Sequence, residues 1–120
     1  MAGCPRPFAA PPSLVLSGAL PVGTFTRIGT TYTVDLVFDS VMDQTSIPTV
    51  ASLQWEDGAG TSVTPVTSTA WLNANTLRIV ATVGIGTDGV GICYYTSNGL
   101  MKTLAGYVYP TFDIEVPKAV

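Results

Sequence analysis

The fold of this chain is decided by one stretch, Thr31-Tyr32-Thr33-Val34-Asp35-Leu36-Val37-Phe38-Asp39-Ser40-Val41-Met42-Asp43. Its apolar side chains fall on alternate positions from Tyr32 to Phe38, and most of the residues between them are polar. Because successive side chains of an extended backbone point to opposite sides, the stretch predicts a half-buried β-strand over 31–39. A polar turn follows, from Asp39-Ser40 to Asp43-Gln44, and its carboxylates make it a candidate metal or catalytic site.

The composition favours one β-sheet domain that works in contact with other subunits. The chain has 120 residues, of which 47% are hydrophobic and 11% are charged, against roughly 25% charged residues in a typical soluble domain. This length suits a single domain with its own core. A surface with so little charge must consist largely of Thr, Ser, Gly and Asn, which suits sheet faces that neighbouring subunits partly cover.

The charge pattern argues against nucleic-acid and membrane partners. The net charge is −3, and the five basic residues are scattered singly along the chain, so no basic patch is available for a phosphate backbone. No run approaches the ~20 apolar residues that span a bilayer. The N-terminus lacks the pattern of a secretory signal, although Ala2-Gly3-Cys4 matches the end of a bacterial lipoprotein cleavage box.

The first twelve residues predict an extended N-terminal arm, ahead of a domain over 13–120. They hold four of the nine prolines, and proline favours extended, polyproline-like backbone. Because an isolated Pro-rich terminus usually frays, we expect the arm to lie against its own domain or against a neighbouring subunit. The predicted contact residues of the arm are Pro5, Pro7, Phe8, Pro11 and Pro12.

After the arm, the sequence predicts an all-β, antiparallel sandwich of about seven strands. No segment has the periodicity of a long amphipathic helix, and turn signals recur every ~8 to 12 residues. Pro65 places its strand at a sheet edge, residues 20–23 form a predicted turn, and 84–91 a predicted loop. The predicted extended segments are 13–17, 25–28, 31–39, 50–56, 61–67, 76–83, 91–97 and a last strand through Phe112, Ile114 and Val116.

Several motifs stand in a telling order: Pro21-Val22-Gly23, then residues 34–43, then Asn75-Thr76-Leu77-Arg78-Ile79, then residues 91–100, and finally Leu104-Ala105-Gly106. This order resembles the bacterial Ig-like modules of surface-layer proteins and other large extracellular proteins. In those modules a Phe-Ser-x-x-Met-Asp-like turn precedes a Tyr-containing strand and an Asp-Leu-Ala-Gly-like turn. Thr103 stands where that last turn usually has its acidic residue. The resemblance implies an Ig-like sandwich with a structural role and no catalytic residues to transfer.

The residues themselves also argue against an enzyme. Histidine is absent, which removes the commonest general base and a common metal ligand. Asp39 and Asp43 supply two nearby carboxylates, whereas calcium takes six to eight oxygen ligands. Asp residues in such turns usually accept hydrogen bonds from their own backbone. We therefore expect no catalytic residues, no metal and no cofactor.

The cysteines and the aromatic residues leave alternatives open. Cys4 and Cys93 could form one disulfide or remain two thiols, and Cys93 points away from the core if Ile92 and Tyr94 face it. Tyr107 and Tyr109 alternate near a predicted edge strand and form a candidate contact surface. A sugar-stacking platform is the other use of the aromatic rings, although such rings more often pack in the core. The residues in question are Trp55, Trp71, Tyr94, Tyr95, Tyr107 and Tyr109.

Three functions fit these observations. The first is a phage virion protein, such as a capsid decoration or head–tail accessory subunit, whose partners are capsid or other virion proteins. The second is an Ig-like spacer or adhesion module at a bacterial cell surface, and the third is a carbohydrate-binding sandwich. A start at Met1 without a secretion signal favours a virion protein that assembles in the host cytoplasm. The low charge fits a protein present in many copies or as a homo-oligomer.

Overall fold

The computed structural model describes residues 18–60, 63–83 and 85–120. Two four-stranded antiparallel sheets enclose one core, with strand orders β1-β2-β6-β5 and β4-β3-β7-β8. The strands are β1 (Val22–Ile28), β2 (Thr31–Val37), β3 (Leu53–Glu56), β4 (Val63–Pro65), β5 (Ser68–Asn73), β6 (Thr76–Thr82), β7 (Gly91–Tyr95) and β8 (Phe112–Val116). Within the described residues, no helix is long and apolar enough to cross a membrane.

The strand order is that of an immunoglobulin-like sandwich. In the immunoglobulin scheme one sheet contains strands A, B, E and D, and the other contains C, F and G, to which C′ can be added beside C. Here β1, β2, β6 and β5 take the places of A, B, E and D, and β4, β3, β7 and β8 take those of C′, C, F and G. The predicted all-β sandwich is therefore confirmed.

Strand β2 follows the alternation of its sequence. Tyr32, Val34 and Leu36 are fully buried, and β2 pairs with β1 on one side and with β6 on the other. On the outer side, Asp35 accepts two hydrogen bonds from Arg78, at 2.8 and 2.9 Å. The strand ends at Val37, two residues before its predicted end.

Aromatic rings fill the centre of the sandwich. Trp55 on β3 is completely buried, and its ring centroid lies 5.5 Å from that of Phe25 and 5.3 Å from that of Tyr32. Cys93 pairs with Trp55 across β3 and β7 and also faces the core. Antibody domains place a tryptophan on the corresponding strand against a disulfide; here rings from β1 and β2 pack against it.

The chain crosses between the sheets at both sides of the sandwich. Val66 donates its backbone N–H to Leu53 on β3 at 3.0 Å, and Thr67 donates to Val80 on β6 at 2.7 Å. On the opposite side, Phe25 of β1 donates to Pro117 at 3.0 Å and accepts from Ala119 at 2.8 Å. These crossings satisfy backbone groups that an open sheet edge would expose.

Other predicted elements also differ from the structure. Val22 and Gly23 belong to β1 and not to a turn, and a side chain at Gly23 would come within 2.9 Å of Val116. Residues 50–52 form a single 3₁₀ turn ahead of β3. Strand β5 was not predicted, because its apolar residues are consecutive in the sequence and do not alternate. In the structure Trp71 faces inward and Leu72 is exposed.

The predicted arm over 1–12 and the predicted strand over 13–17 lie outside the described residues.

Candidate interaction surfaces

The two turns that carry the family resemblance meet at one end of the sandwich. The turn after β2 is bound to the loop between β7 and β8: Asp43 donates its N–H to Lys102 at 3.0 Å, and Leu104 donates to Val41 at 2.9 Å. Met42 lies between these bonds and is buried. Motifs about sixty residues apart in the sequence therefore form one structural unit, which we call the motif end (residues 38–43 and 101–109).

Thr103 supplies an oxygen acceptor where the resemblance expects an acidic residue. Its hydroxyl accepts a hydrogen bond from the Tyr107 N–H at 3.0 Å, and its own N–H donates to the Tyr107 carbonyl at 2.9 Å. Gly106 completes this turn with a φ of 111°, which is accessible to glycine at little cost. Thr103 is buried, so its position in the turn is structural.

The carboxylates of the turn after β2 bind their own neighbours. Asp43 accepts from the hydroxyl and the N–H of Thr45, at 2.6 and 3.0 Å, and these bonds lower the pKa of Asp43. Ser40 donates to Asp39 at 3.3 Å. Across the described parts of the chain, no three Cys, Asp or Glu side chains are grouped closely enough to hold a metal ion. The geometry of Asp43 is that of a turn-forming Asp.

The structure separates the two predicted contact tyrosines. Tyr109 is completely buried, its ring packs against Phe38 and Phe112, and its hydroxyl donates to the Ala19 carbonyl at 2.9 Å. Burial raises the pKa of Tyr109 to about 12. Tyr107 is half-buried against the same cluster. Both residues lie in the loop between β7 and β8 and not on an edge strand, so Tyr109 offers no surface to a partner.

The aromatic residues considered for a sugar platform are dispersed. Trp55 and Tyr95 lie in the core, and Trp71 is partly buried with its indole N–H donating to Ser46 at 3.2 Å. Tyr94 lies on the outer side of the second sheet, where its hydroxyl donates to Glu56. Stacking on a sugar requires exposed ring faces, and most of these rings are instead used in packing.

A shallow apolar cavity of about 360 Å³ lies at the motif end. Val41 and Leu104 border it, and Leu104 is 69% exposed. No charged side chain is among its lining residues, which are Ser40, Val41, Thr103, Leu104 and Ala105.

The outer side of the first sheet is a broad, nearly neutral surface, which we call the threonine face. Among its described residues, Asp35 and Arg78 are the charged pair, and they neutralise each other. Hydrogen bonds from Arg78 to Asp35 raise the pKa of Arg78. Val22 and Ile28 are 72% and 88% exposed at the two ends of β1. The remaining members of the face include Thr24, Thr26, Thr31, Thr33, Val37, Leu72, Val80 and Thr82.

The threonine face also has a pattern in the sequence. Threonines alternate with inward residues along β1 at 24 and 26, and along β2 at 31 and 33. Because the two strands pair directly, Thr26 stands beside Thr33. Recognising the face required knowing that β1 and β2 are neighbours.

The outer side of the second sheet has the opposite character, and we call it the acidic face. Glu56, Asp113 and Glu115 project from β3 and β8, and none of the four strands of this sheet contains a Lys or Arg. Tyr94 stands among them, and its hydrogen bond to Glu56 raises the pKa of Tyr94. The sandwich thus has one neutral and one negative face.

Cys93 is a buried thiol on the inner side of β7. Burial raises its pKa to about 12, and thiols react as thiolates. Gly91, Cys93 and Tyr95 face the core, whereas Ile92 and Tyr94 are on the outer side. Cys4 lies outside the described residues.

Comparison with protein-family models and with curated proteins finds no match for this chain.

Proposed function

We propose that this protein is a non-enzymatic structural subunit of a bacteriophage virion, a capsid decoration or head–tail accessory protein that binds neighbouring subunits. The observation that carries the proposal is the threonine face, a four-stranded surface whose charged pair is neutralised within the chain. Such a surface has few charged side chains that must be dehydrated on contact. Interface cores are likewise depleted of charged residues. The carboxylate of Asp43 and the hydroxyl of Thr103 are hydrogen-bonded within their turns.

The arm provides a second kind of contact in this proposal. Its prolines limit the conformations available to the free chain, which lowers the entropy cost of binding. Phe8 would provide an apolar anchor among Pro5, Pro7, Pro11 and Pro12. Tyr107, half-buried at the motif end, is the remaining candidate outside the arm.

A spacer or adhesion module of a bacterial cell-surface protein is the second candidate. The observation that favours it is the motif end, where the two turns of the family resemblance bind each other directly. Carbohydrate binding has less support, because Trp55, Tyr95 and Tyr109 are buried in the core.

Immunogold electron microscopy with antibodies against the purified chain tests the virion proposal. Cultures that produce the protein would be separated into particles and cell envelopes before labelling. We expect regular labelling of closed particles, with many copies on each. If the cell envelopes are labelled and the particles are not, the virion proposal is overturned and the cell-surface module is favoured.

A further inference from the structure

We propose that the threonine face binds the same face of a second copy of this chain, around a two-fold axis that passes between Asp35 and Arg78. This inference deepens the proposed function, because it names a partner for the surface on which that proposal rests. Symmetric dimers use one patch twice, so the patch must complement itself.

The charges of the face meet that requirement. Asp35 on β2 and Arg78 on β6 are direct neighbours in the register and lie side by side on the two central strands. A two-fold axis that runs parallel to the strands and passes between the two residues brings Arg78 of each copy opposite the partner's Asp35. Two ion pairs within the chains thereby become a four-charge network of alternating sign, with no like charges forced into closest contact.

The neutral side chains around the pair suit close contact. Threonine presents a methyl group and a hydroxyl on a short, β-branched side chain, so little rotamer freedom is lost when it is covered. The exposed apolar residues Val22, Ile28 and Leu72 lie at the margins of the face. Two twisted sheets can pack face to face with their strands aligned to within about 30°.

The acidic face cannot form the equivalent contact. Glu56, Asp113 and Glu115 would meet the same three carboxylates of a second copy, and no cation projects from the strands of that sheet. Juxtaposed like charges disfavour association. The difference between the faces therefore assigns self-association to one side of the sandwich.

The area of the threonine face is smaller than that of a stable interface. Three strands of seven residues and one of six, at their usual spacing, cover roughly 400 Å². A stable interface buries about 800 Å² on each partner. We therefore expect a weak dimer that forms at protein concentrations below about 1 mM.

Charge reversal tests this geometry through sedimentation velocity over a range of concentrations. Asp35→Arg leaves two cations on the face, and Arg78→Asp leaves two anions. Each single variant should weaken the dimer at least about tenfold through like-charge contact. The double variant D35R/R78D restores alternating charges and should dimerise like the unchanged chain. A mixture of the two single variants should form a heterodimer.

Two controls separate the contact from damage to the fold. Glu115→Arg changes a charge on the acidic face and should leave the dimer unchanged. Circular dichroism should show all variants folded, because the Asp35–Arg78 pair is exposed and such pairs contribute little to stability.

A chain that remains monomeric to about 1 mM would overturn the inference, and so would single variants that dimerise normally. Dimerisation is measured in purified protein and particle labelling in cultures, so the two tests are independent. A monomeric chain that labels particles would overturn the dimer alone, and a dimer that is absent from particles would overturn the virion proposal alone.

Discussion

Gly91 shows how one missing side chain allows the central tryptophan to pack. Gly91 begins β7 and is buried beside Trp55. A Cβ at this position would overlap the indole ring and would lie 2.8 Å from the Glu56 carbonyl oxygen. We expect Gly91→Ala to lower the free energy of unfolding by about 1–3 kcal/mol, the usual cost of overpacking a core. Urea denaturation followed by tryptophan fluorescence measures it.

Gly89→Ala is the matched control for that substitution. The nearest atom to a Cβ at Gly89 is 3.5 Å away, which is an ordinary contact. Its effect should stay within about 0.5 kcal/mol. Equal destabilisation by both variants would mean that backbone freedom, and not the overlap with Trp55, decides the cost at Gly91.

The thiol of Cys93 predicts a loss of stability at high pH. Burial raises its pKa from the ordinary 9.0 to about 12. Between these values the unfolded chain binds fewer protons than the folded one, so the free energy of unfolding falls as the pH rises. The stabilisation is complete below pH 9. Its loss approaches about 1.4 kcal/mol per pH unit for one group, and Tyr109 adds to the same trend from its ordinary 10.0 upwards.

The measurement is urea denaturation of the chain and of Cys93→Ala between pH 8 and pH 11. The variant should lose stability less steeply with rising pH, because the contribution of the Cys93 thiol is removed while that of Tyr109 remains. Parallel profiles for the two proteins would contradict the buried, protonated thiol.

The segment after β8 acts as a clamp on the edge of β1. Pro117 and Ala119 bind both backbone groups of Phe25. Deleting residues 117–120 should lower the free energy of unfolding by about 1–3 kcal/mol, since each hydrogen bond contributes ~1 kcal/mol and an edge is left open. Hydrogen exchange at the Phe25 amide should accelerate. Deletion of Val120 alone, which is fully exposed, should change neither quantity.

A strand could be predicted when the burial of its side chains follows the alternation of its own sequence, and not when distant residues decide that burial. Strand β2 was predictable because Tyr32, Val34 and Leu36 alternate with outward residues. Strand β5 was not, because its inward Trp71 is held by a hydrogen bond to Ser46 in a distant loop. The inward position of Cys93 likewise depends on its pairing with Trp55 on β3. Tertiary contacts decide such cases, and local patterns do not contain them.

The same distinction applies to the candidate surfaces. The turn role of Asp43 could be predicted, since its hydrogen bonds go to Thr45, two residues away. Tyr109 was misplaced as an edge residue, because its burial depends on Phe38 and on the Ala19 carbonyl, both distant in sequence. The arm residues remain predictions from composition.

Across the molecule as a whole, the two outer faces of the sandwich differ in charge. The chain crosses between its sheets at both sides, which limits open edges. One broad face carries an ion pair that is neutral overall, and the strands of the other face carry Asp and Glu but no Lys or Arg. In the dimer proposed above, the threonine face would contact the neighbour and the acidic face would remain in solvent, which would keep association finite.

Removing the arm separates folding from assembly. We expect a chain lacking residues 2–12 to unfold with an unchanged free energy, within about 0.5 kcal/mol, because the proposal assigns the arm to contacts with a neighbouring subunit. Binding to the virion should nevertheless be lost, since the arm would supply contact area that the roughly 400 Å² of the threonine face does not provide. Quantitative gel analysis of purified particles measures the number of bound copies.

Phe8→Ala in the full chain tests the anchor within the arm and should reduce occupancy without abolishing it. Particles that carry the truncated chain at the same occupancy as the full chain would show that the arm is not a contact element.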